Sequence, residues 1–193
     1  MANASTTGFG FRPIKKIAQN YNNAALSEYS VAASSALISH AAMVQLTADG
    51  VVLASTNSTE NNLGTLNGVF YTDATSNKPT FSNYSPASNT ATDIVAFIND
   101  DPMQMYEVMS ADTAFNQNEV GHCADQVLEA GASPLFVSKS KISATTANTQ
   151  AQLFIMGVSR DPDHSDTTAE GFALRVQIRE HILVGNNTQR AGI

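Results

Sequence analysis

The sequence predicts a mainly β protein, an antiparallel β-barrel or β-sandwich with an extended N-terminal arm and long loops. Residues 172–179 alternate apolar and polar side chains over a full strand, as expected when one face is buried and the other is wet. Several other short apolar runs are separated by Gly, Pro, Asn and Asp, which favour turns. Two segments, 24–42 and 111–130, are compatible with short helices, but neither keeps a clean helical period.

The composition is that of one folded domain with a weakly charged surface. The chain has 193 residues, of which 42% are hydrophobic, so it can bury a core. Only 14% are charged, against about a quarter in typical soluble domains. A surface rich in Ser, Thr and Asn suits packing in a large assembly, and it is also common in secreted β-proteins and adhesins. We predict an N-terminal arm at 1–27 and a single β-rich domain at 28–193.

The first predicted strands form a hairpin. Residues 43–46 and 51–54 are apolar runs joined by a segment that contains Asp49-Gly50, a strong turn signal. Residues 66–71 form another β-rich run, in which Asn67-Gly68 also suits a β-bulge.

Three more strands follow along the chain. Residues 93–98 form a compact apolar run that ends at a turn before Pro102, and 103–108 continue after it. Residues 153–158 are the most hydrophobic run, so we predict this strand at the centre of its sheet.

The N-terminal segment carries aromatic side chains without any period. In the string Gly8-Phe9-Gly10-Phe11-Arg12-Pro13, glycines and a proline flank two aromatic residues. These aromatics either tuck under the domain or anchor on a partner. The predicted partner contacts of this segment are Phe9, Phe11, Arg12, Pro13 and Ile14.

The stretch 72–92 is predicted to be a long loop rich in Ser, Asn and Pro. Loops longer than about 12–15 residues in compact domains are usually functional or disordered. The aromatic residues in and beside it favour an ordered contact loop, although they could instead fold back over the sheet. The candidate contact residues here are Tyr71, Phe81 and Tyr84.

Charge and composition disfavour several partners. The net charge is −7, and ten Lys and Arg are scattered along the chain, so nucleic acid is a poor candidate. No apolar stretch is long enough to span a bilayer, and the first residues lack the apolar region of a signal peptide. We therefore predict no membrane partner and synthesis in a cytosol-like compartment.

The motifs for catalysis and metal binding fail when they are tested one by one. A single cysteine, Cys123, excludes an intrachain disulfide and a Cys-based zinc site. Counted from Asp161, a calcium loop would need Gly and Glu where Asp166 and Phe172 stand. Nucleophile elbows, phosphate loops and paired histidine ligands are absent from the sequence. We predict no catalytic, cofactor-binding or metal-binding residue and a protein that is not an enzyme.

Several strings of the sequence resemble small capsid-associated proteins of marine tailed bacteriophages. They are residues 8–13, 67–73, 78–84, 92–102 and 178–181. Proteins of this kind are usually assigned as head decoration, or cement, proteins. The chain departs from compact decoration proteins in its longer segments 72–92 and 131–150.

This resemblance implies a β-barrel or β-sandwich body on the outside of an icosahedral shell. The implied partner is the major capsid protein, on which copies assemble as homo-oligomers, a dimer or a trimer. The implied location is the capsid surface of the virion, after synthesis in the host cytoplasm, and the family carries over no catalytic residue. Another virion surface component, such as a tail, fibre or carbohydrate-binding module, is the alternative, with glycan binding through Tyr71, Tyr84 or Tyr106. An enzyme comes third.

Overall fold

Two β-sheets and one small ribbon form the part of the chain that the computed structural model describes, residues 3–17, 26–56, 61–143 and 151–184. The strands are β1 (Arg12–Lys16), β2 (Ser27–Val31), β3 (Met43–Leu46), β4 (Val51–Ala54), β5 (Asn62–Thr72), β6 (Pro79–Ser82), β7 (Val95–Asn99), β8 (Gln104–Met109), β9 (Cys123–Ala124), β10 (Gln126–Val127), β11 (Lys141–Ile142), β12 (Leu153–Val158) and β13 (Ala173–Ile178). Within these ranges the helical structure is limited to two short 3₁₀ turns, Gln117–Glu119 and Pro162–His164. None of the described helices is long and apolar enough to cross a membrane. The prediction of a mainly β fold is confirmed.

The first sheet has five antiparallel strands in the order β1-β8-β13-β12-β9. The alternating strand predicted at 172–179 is β13, and it takes the central position. We predicted β12 at the centre, but it is one place away. Its outer neighbour is the two-residue β9, which pairs only with Leu153 and Phe154.

The second sheet closes on itself. Strands run in the order β3-β4-β2-β7-β5, and β3 also pairs with the first part of β5, which completes a five-stranded barrel. Beyond β3, the same edge of β5 pairs with β6. The predicted hairpin at 43–54 is the β3–β4 pair, and the predicted bulge in β5 occurs between Leu66 and Gly68.

Each sheet has its own apolar core. The barrel interior is filled by small and branched side chains, among them Val44, Val52, Leu66, Val69 and Ile98. One face of the first sheet packs around side chains from its three longest strands, including Tyr106, Leu153, Ile155, Leu174 and Val176. The opposite face, which we call the outer face, carries the half-exposed Arg175 and Gln177 of β13 beside apolar side chains such as Phe154 of β12.

Residues 12–16 are not free of the domain. They form β1, which pairs with β8, so this part of the predicted 1–27 arm belongs to the first sheet. Residues 18–25 of the predicted arm lie outside the described residues.

The described residues of the two segments that were compatible with helices form no α-helix, and the predicted long loop is partly a strand. Segment 26–42 forms β2 and irregular chain, and 111–130 forms a 3₁₀ turn with two short strands. The predicted loop 72–92 contains β6, so it is partly a hairpin with β5. In the longer segment predicted at 131–150, residues 144–150 lie outside the described part.

Candidate partner-binding surfaces

Phe11 is a core residue rather than a surface contact. Its side chain is 0% exposed and belongs to the apolar core of the first sheet. The backbone N–H of Phe11 donates to the carbonyl of Ala41 at 2.9 Å. Gly10 allows this approach, since it has φ +74° and a Cβ there would lie 2.6 Å from the Ala41 oxygen. Of the two alternatives for this aromatic residue, the structure therefore has the tucked one.

Phe9 and Arg12 form a half-buried contact at the start of β1. The Arg12 guanidinium lies 3.8 Å from the centre of the Phe9 ring, as in a cation–π contact. The same ring lies 5.5 Å from that of His164. Arg12 also pairs with Glu107 at 2.7 Å and with Asp161 at 3.2 Å. These two predicted contact residues are thus already engaged within the chain.

Pro13 and Ile14 line two different depressions on either side of β1. Pro13 borders a cavity of about 110 Å³ between β1 and the barrel, together with His40 and Asn67. Ile14 borders an open groove of about 350 Å³ on the outer face of the first sheet. Arg12 lines both depressions. Four of the five predicted N-terminal contact residues therefore remain at least partly accessible.

A second surface, which we call the aromatic patch, consists of Phe70, Phe81, Tyr84, Leu135 and Phe136. The rings of Phe70 and Phe81, which are cross-strand partners, lie 4.7 Å apart. The rings of Tyr84 and Phe136 are stacked at 4.2 Å. Phe81 is 75% exposed and Leu135 is 68% exposed, so two large apolar side chains of the patch face solvent. Apolar side chains grouped in this way are typical of protein-binding surfaces.

Local hydrogen bonds fix the β5–β6 hairpin that carries the Phe70–Phe81 pair of this patch. The Asp73 carboxylate accepts the N–H groups of Thr75 and Ser76 in the turn. The Asp93 carboxylate accepts the N–H of Thr72 at 3.0 Å. Hydrogen bonds from Ser76 lower the pKa of Asp73, and hydrogen bonds from Thr72 lower the pKa of Asp93. The predicted contact loop is therefore ordered where it carries the aromatic side chains.

The third predicted residue of this region, Tyr71, points away from the surface. It is 8% exposed and belongs to the barrel core. Burial raises the pKa of Tyr71, with a further contribution from the negative charge of Asp73. Tyr106 is fully buried in the other core, and its hydroxyl donates to the carbonyl of Asn99. Neither tyrosine can serve as a glycan platform, which leaves only Tyr84 of the three proposed for that alternative.

The segment 38–41 connects the two surfaces. Ile38 pairs with Ser85, next to the aromatic patch. The N–H of His40 donates to the carbonyl of Phe136, and Ala41 accepts the N–H of Phe11. One short irregular segment thus joins the start of β1 to the patch.

The titratable residues singled out by the sequence do not converge. Cys123 is half-buried in β9, and the described part of the chain contains no group of three or more His, Cys, Asp or Glu side chains arranged to hold a metal ion. The acidic run that begins at Asp161 forms a turn in which the Asp161 side chain caps a 3₁₀ helix. A separate, partly buried hydrogen bond joins the Tyr29 hydroxyl to Asp100 at 2.6 Å, and the pKa of Tyr29 is raised by burial and by this hydrogen bond.

The sequence predicted part of each surface. It indicated Phe81 and Tyr84 of the patch but not Phe70, nor Leu135 and Phe136, which lie about fifty residues further along and approach only through the fold. It indicated Arg12 and Ile14 of the groove but not its other basic residues. The strict alternation of β13 places Arg175 on the solvent-facing side of that strand, so the alternation could have predicted Arg175 as a surface residue.

Comparison with known proteins adds no relative. No family model matches the chain, and neither the curated proteins nor the solved structures give a significant match.

Proposed function

We propose that the protein is a virion structural protein, a decoration or cement protein that binds the outer surface of an icosahedral phage capsid and stabilises it across capsid subunits. Its partner in this proposal is the major capsid protein, and it sits on the shell as a homo-oligomer. It acts through surfaces rather than through catalysis. The observation that supports the proposal is the exposed aromatic patch on and beside an ordered hairpin.

The sequence strings behind the phage resemblance support this assignment by where they lie. Residues 67–73 end β5, 78–84 contain β6, and 92–102 contain β7. These three strands are neighbours in the barrel sheet, in the order β6-β5-β7. The phage-like strings therefore meet in one region, and that region carries the aromatic patch.

The size of the patch suits a contact that is repeated many times. Burying a large apolar side chain fully contributes about 1.5–3 kcal/mol, and Phe81 and Leu135 are the two most exposed large apolar side chains described. One such contact is modest, but an oligomer that engages several capsid subunits at once gains effective affinity through multivalency. Binding to the assembled shell alone then stabilises that shell by mass action.

The test is co-sedimentation of the purified protein with shells of the phage that encodes it, using point variants. Removal of residues 1–16 is unsuitable, since it would delete β1 and the core side chain of Phe11. The informative change is Phe81→Ser. Its control is Met103→Ser, a change at a 49% exposed apolar side chain in the turn after β7, at the opposite end of that strand from the patch.

We expect the wild-type protein and M103S to bind at a stoichiometry near that of the capsid subunit, and F81S to bind at least about tenfold more weakly, as for an interface hot spot. Equal binding of F81S and wild type would refute the role of the patch, and no binding of any form would refute the capsid assignment. Specific binding of the isolated protein to a glycan array, lost in F81S, would favour the carbohydrate-binding alternative instead.

A further inference from the structure

The outer face of the first sheet carries a row of facing residues across four strands. Arg12 of β1 pairs with Glu107 of β8, and Glu107 faces Arg175 of β13. Arg175 in turn faces Gly157 of β12. A Cβ at Gly157 would lie 3.1 Å from a terminal nitrogen of Arg175, so this glycine leaves the guanidinium its space.

Both carboxylates of the groove are already engaged. Glu107 accepts from Arg12 at 2.7 Å and from the hydroxyl of Ser159. Asp161 accepts from Arg12 at 3.2 Å and from the N–H of Asp163 at 3.1 Å. Arg12 thus satisfies two acidic side chains and is itself neutralised by them.

Three cations of the same groove have no such partner. In the described ranges, no carboxylate forms an ion pair with Lys15, Arg160 or Arg175. The Nε of Arg175 is also shielded from solvent and has no hydrogen-bond acceptor among the described residues. A guanidinium nitrogen that is shielded from water without an acceptor is unfavourable, and in native proteins such a group usually has a partner. The row therefore runs cation, carboxylate, cation, and the guanidinium of Arg175 at its end is free to accept one further anionic group.

The charge of the groove contrasts with that of the chain. Its walls hold the four cations Arg12, Lys15, Arg160 and Arg175 against two carboxylates, although the whole chain has a net charge of −7. Ile14 adds an apolar contact beside them. The volume of about 350 Å³ can hold several side chains.

We infer that this groove is a second interaction surface, which binds an acidic extended segment of a partner protein through a carboxylate held by Arg175 and Arg160. Paired arginines match the geometry of a carboxylate, and charge-assisted hydrogen bonds are the stronger class. The methylene groups of a glutamate side chain fit against Ile14. The groove lies on a different sheet from the aromatic patch, so this inference does not depend on capsid binding.

The experiment is an NMR titration of the full chain at 0.15 M salt with a capped hexaglutamate peptide. Matched samples receive hexaglutamine or inorganic phosphate. The Nε–Hε signals of the arginine side chains report on the site. We expect saturable shifts of the Arg175 and Arg160 signals with hexaglutamate and none with hexaglutamine.

Variants separate the groove from general attraction. Arg175→Gln and Arg160→Gln should each weaken hexaglutamate binding by about tenfold or more, the range expected for loss of a hydrogen bond to a charged group. Arg179→Gln, just after β13 and beside Glu180, should leave it unchanged. Arg160 is exposed, so R160Q keeps the test valid if R175Q fails to fold.

Three outcomes would overturn the inference. They are absence of saturable shifts, equal weakening by R179Q, and binding of phosphate as tight as that of the peptide, which would indicate a small-anion site. F81S should bind hexaglutamate normally, so a failure of the capsid proposal is distinguishable from a failure of this one.

Discussion

Phe11→Ala is the most direct test of the position of the N-terminal segment. In a free arm this change would leave the free energy of unfolding within about 0.5 kcal/mol of wild type, as for most surface substitutions. In the structure Phe11 is 0% exposed in the core of the first sheet. Loss of its buried ring removes a transfer contribution of about 1.5–3 kcal/mol, and the cavity left behind raises the total to about 3–5 kcal/mol.

The measurement is urea unfolding followed by far-UV circular dichroism, since the chain has no tryptophan. For a chain of this size the expected loss corresponds to a fall in melting temperature of about 6–20 °C. Phe9→Ala is the matched control. It removes a half-buried ring and its contact with Arg12, so we expect a loss of only about 1–2 kcal/mol. If F11A unfolds at the same urea concentration as wild type, or at a urea concentration no lower than F9A, the burial of Phe11 in the core of the first sheet is refuted.

Two further predictions concern a glycine and a histidine. Gly50→Ala should cost about 1–2 kcal/mol for its positive φ alone. Gly10→Ala should destabilise the protein by more than this, because only at Gly10 would the new Cβ also meet the Ala41 carbonyl. Equal melting temperatures of the two variants would contradict this close approach. Burial lowers the pKa of His181 below its ordinary value of 6.5, against the opposing charges of Asp100 and Asp101, so the folded state binds its proton less readily than the unfolded state. The contribution of neutral His181 to the free energy of unfolding should therefore be fully present above about pH 6.5 and be lost as the pH is lowered from there. Urea titrations across pH 4–7.5 should show a smaller fall in the free energy of unfolding for His181→Gln than for wild type. An identical pH dependence in both proteins would refute this prediction.

The strands were predictable because their signals are local. The alternation of residues 172–179, the Asp49-Gly50 turn and the Asn67-Gly68 bulge each need only a few neighbouring residues, and each is found in the structure. The mainly β class follows from the same signals.

The long-range arrangement was not predictable in this way. Closure of the barrel depends on the pairing of β3 with β5, and no single segment encodes it. The fate of Phe11 was equally hidden, since a Gly-flanked aromatic residue has the same local pattern in a free arm as in a tucked strand. Only the pairing of β1 with β8 decides between them.

The surfaces were predicted only in part because each is assembled from distant segments. Phe81 and Tyr84 lie in one stretch of sequence, but Phe136 reaches Tyr84 through a contact between residues 52 positions apart. Likewise, the groove combines β1 with Arg160 and Arg175 from the far end of the chain. Composition indicates that partners matter, and only the fold indicates which side chains can meet them.

In the function proposed above, the aromatic patch holds the protein on a capsid. A cryo-electron microscopy reconstruction of the phage head with the protein bound would show this contact directly. We predict density for the barrel on the outside of the shell, across a boundary between capsid subunits, with Phe81 and Leu135 buried against the major capsid protein. A head that lacks this density, or one on which the bound protein turns the β5–β6 hairpin to solvent, would contradict it.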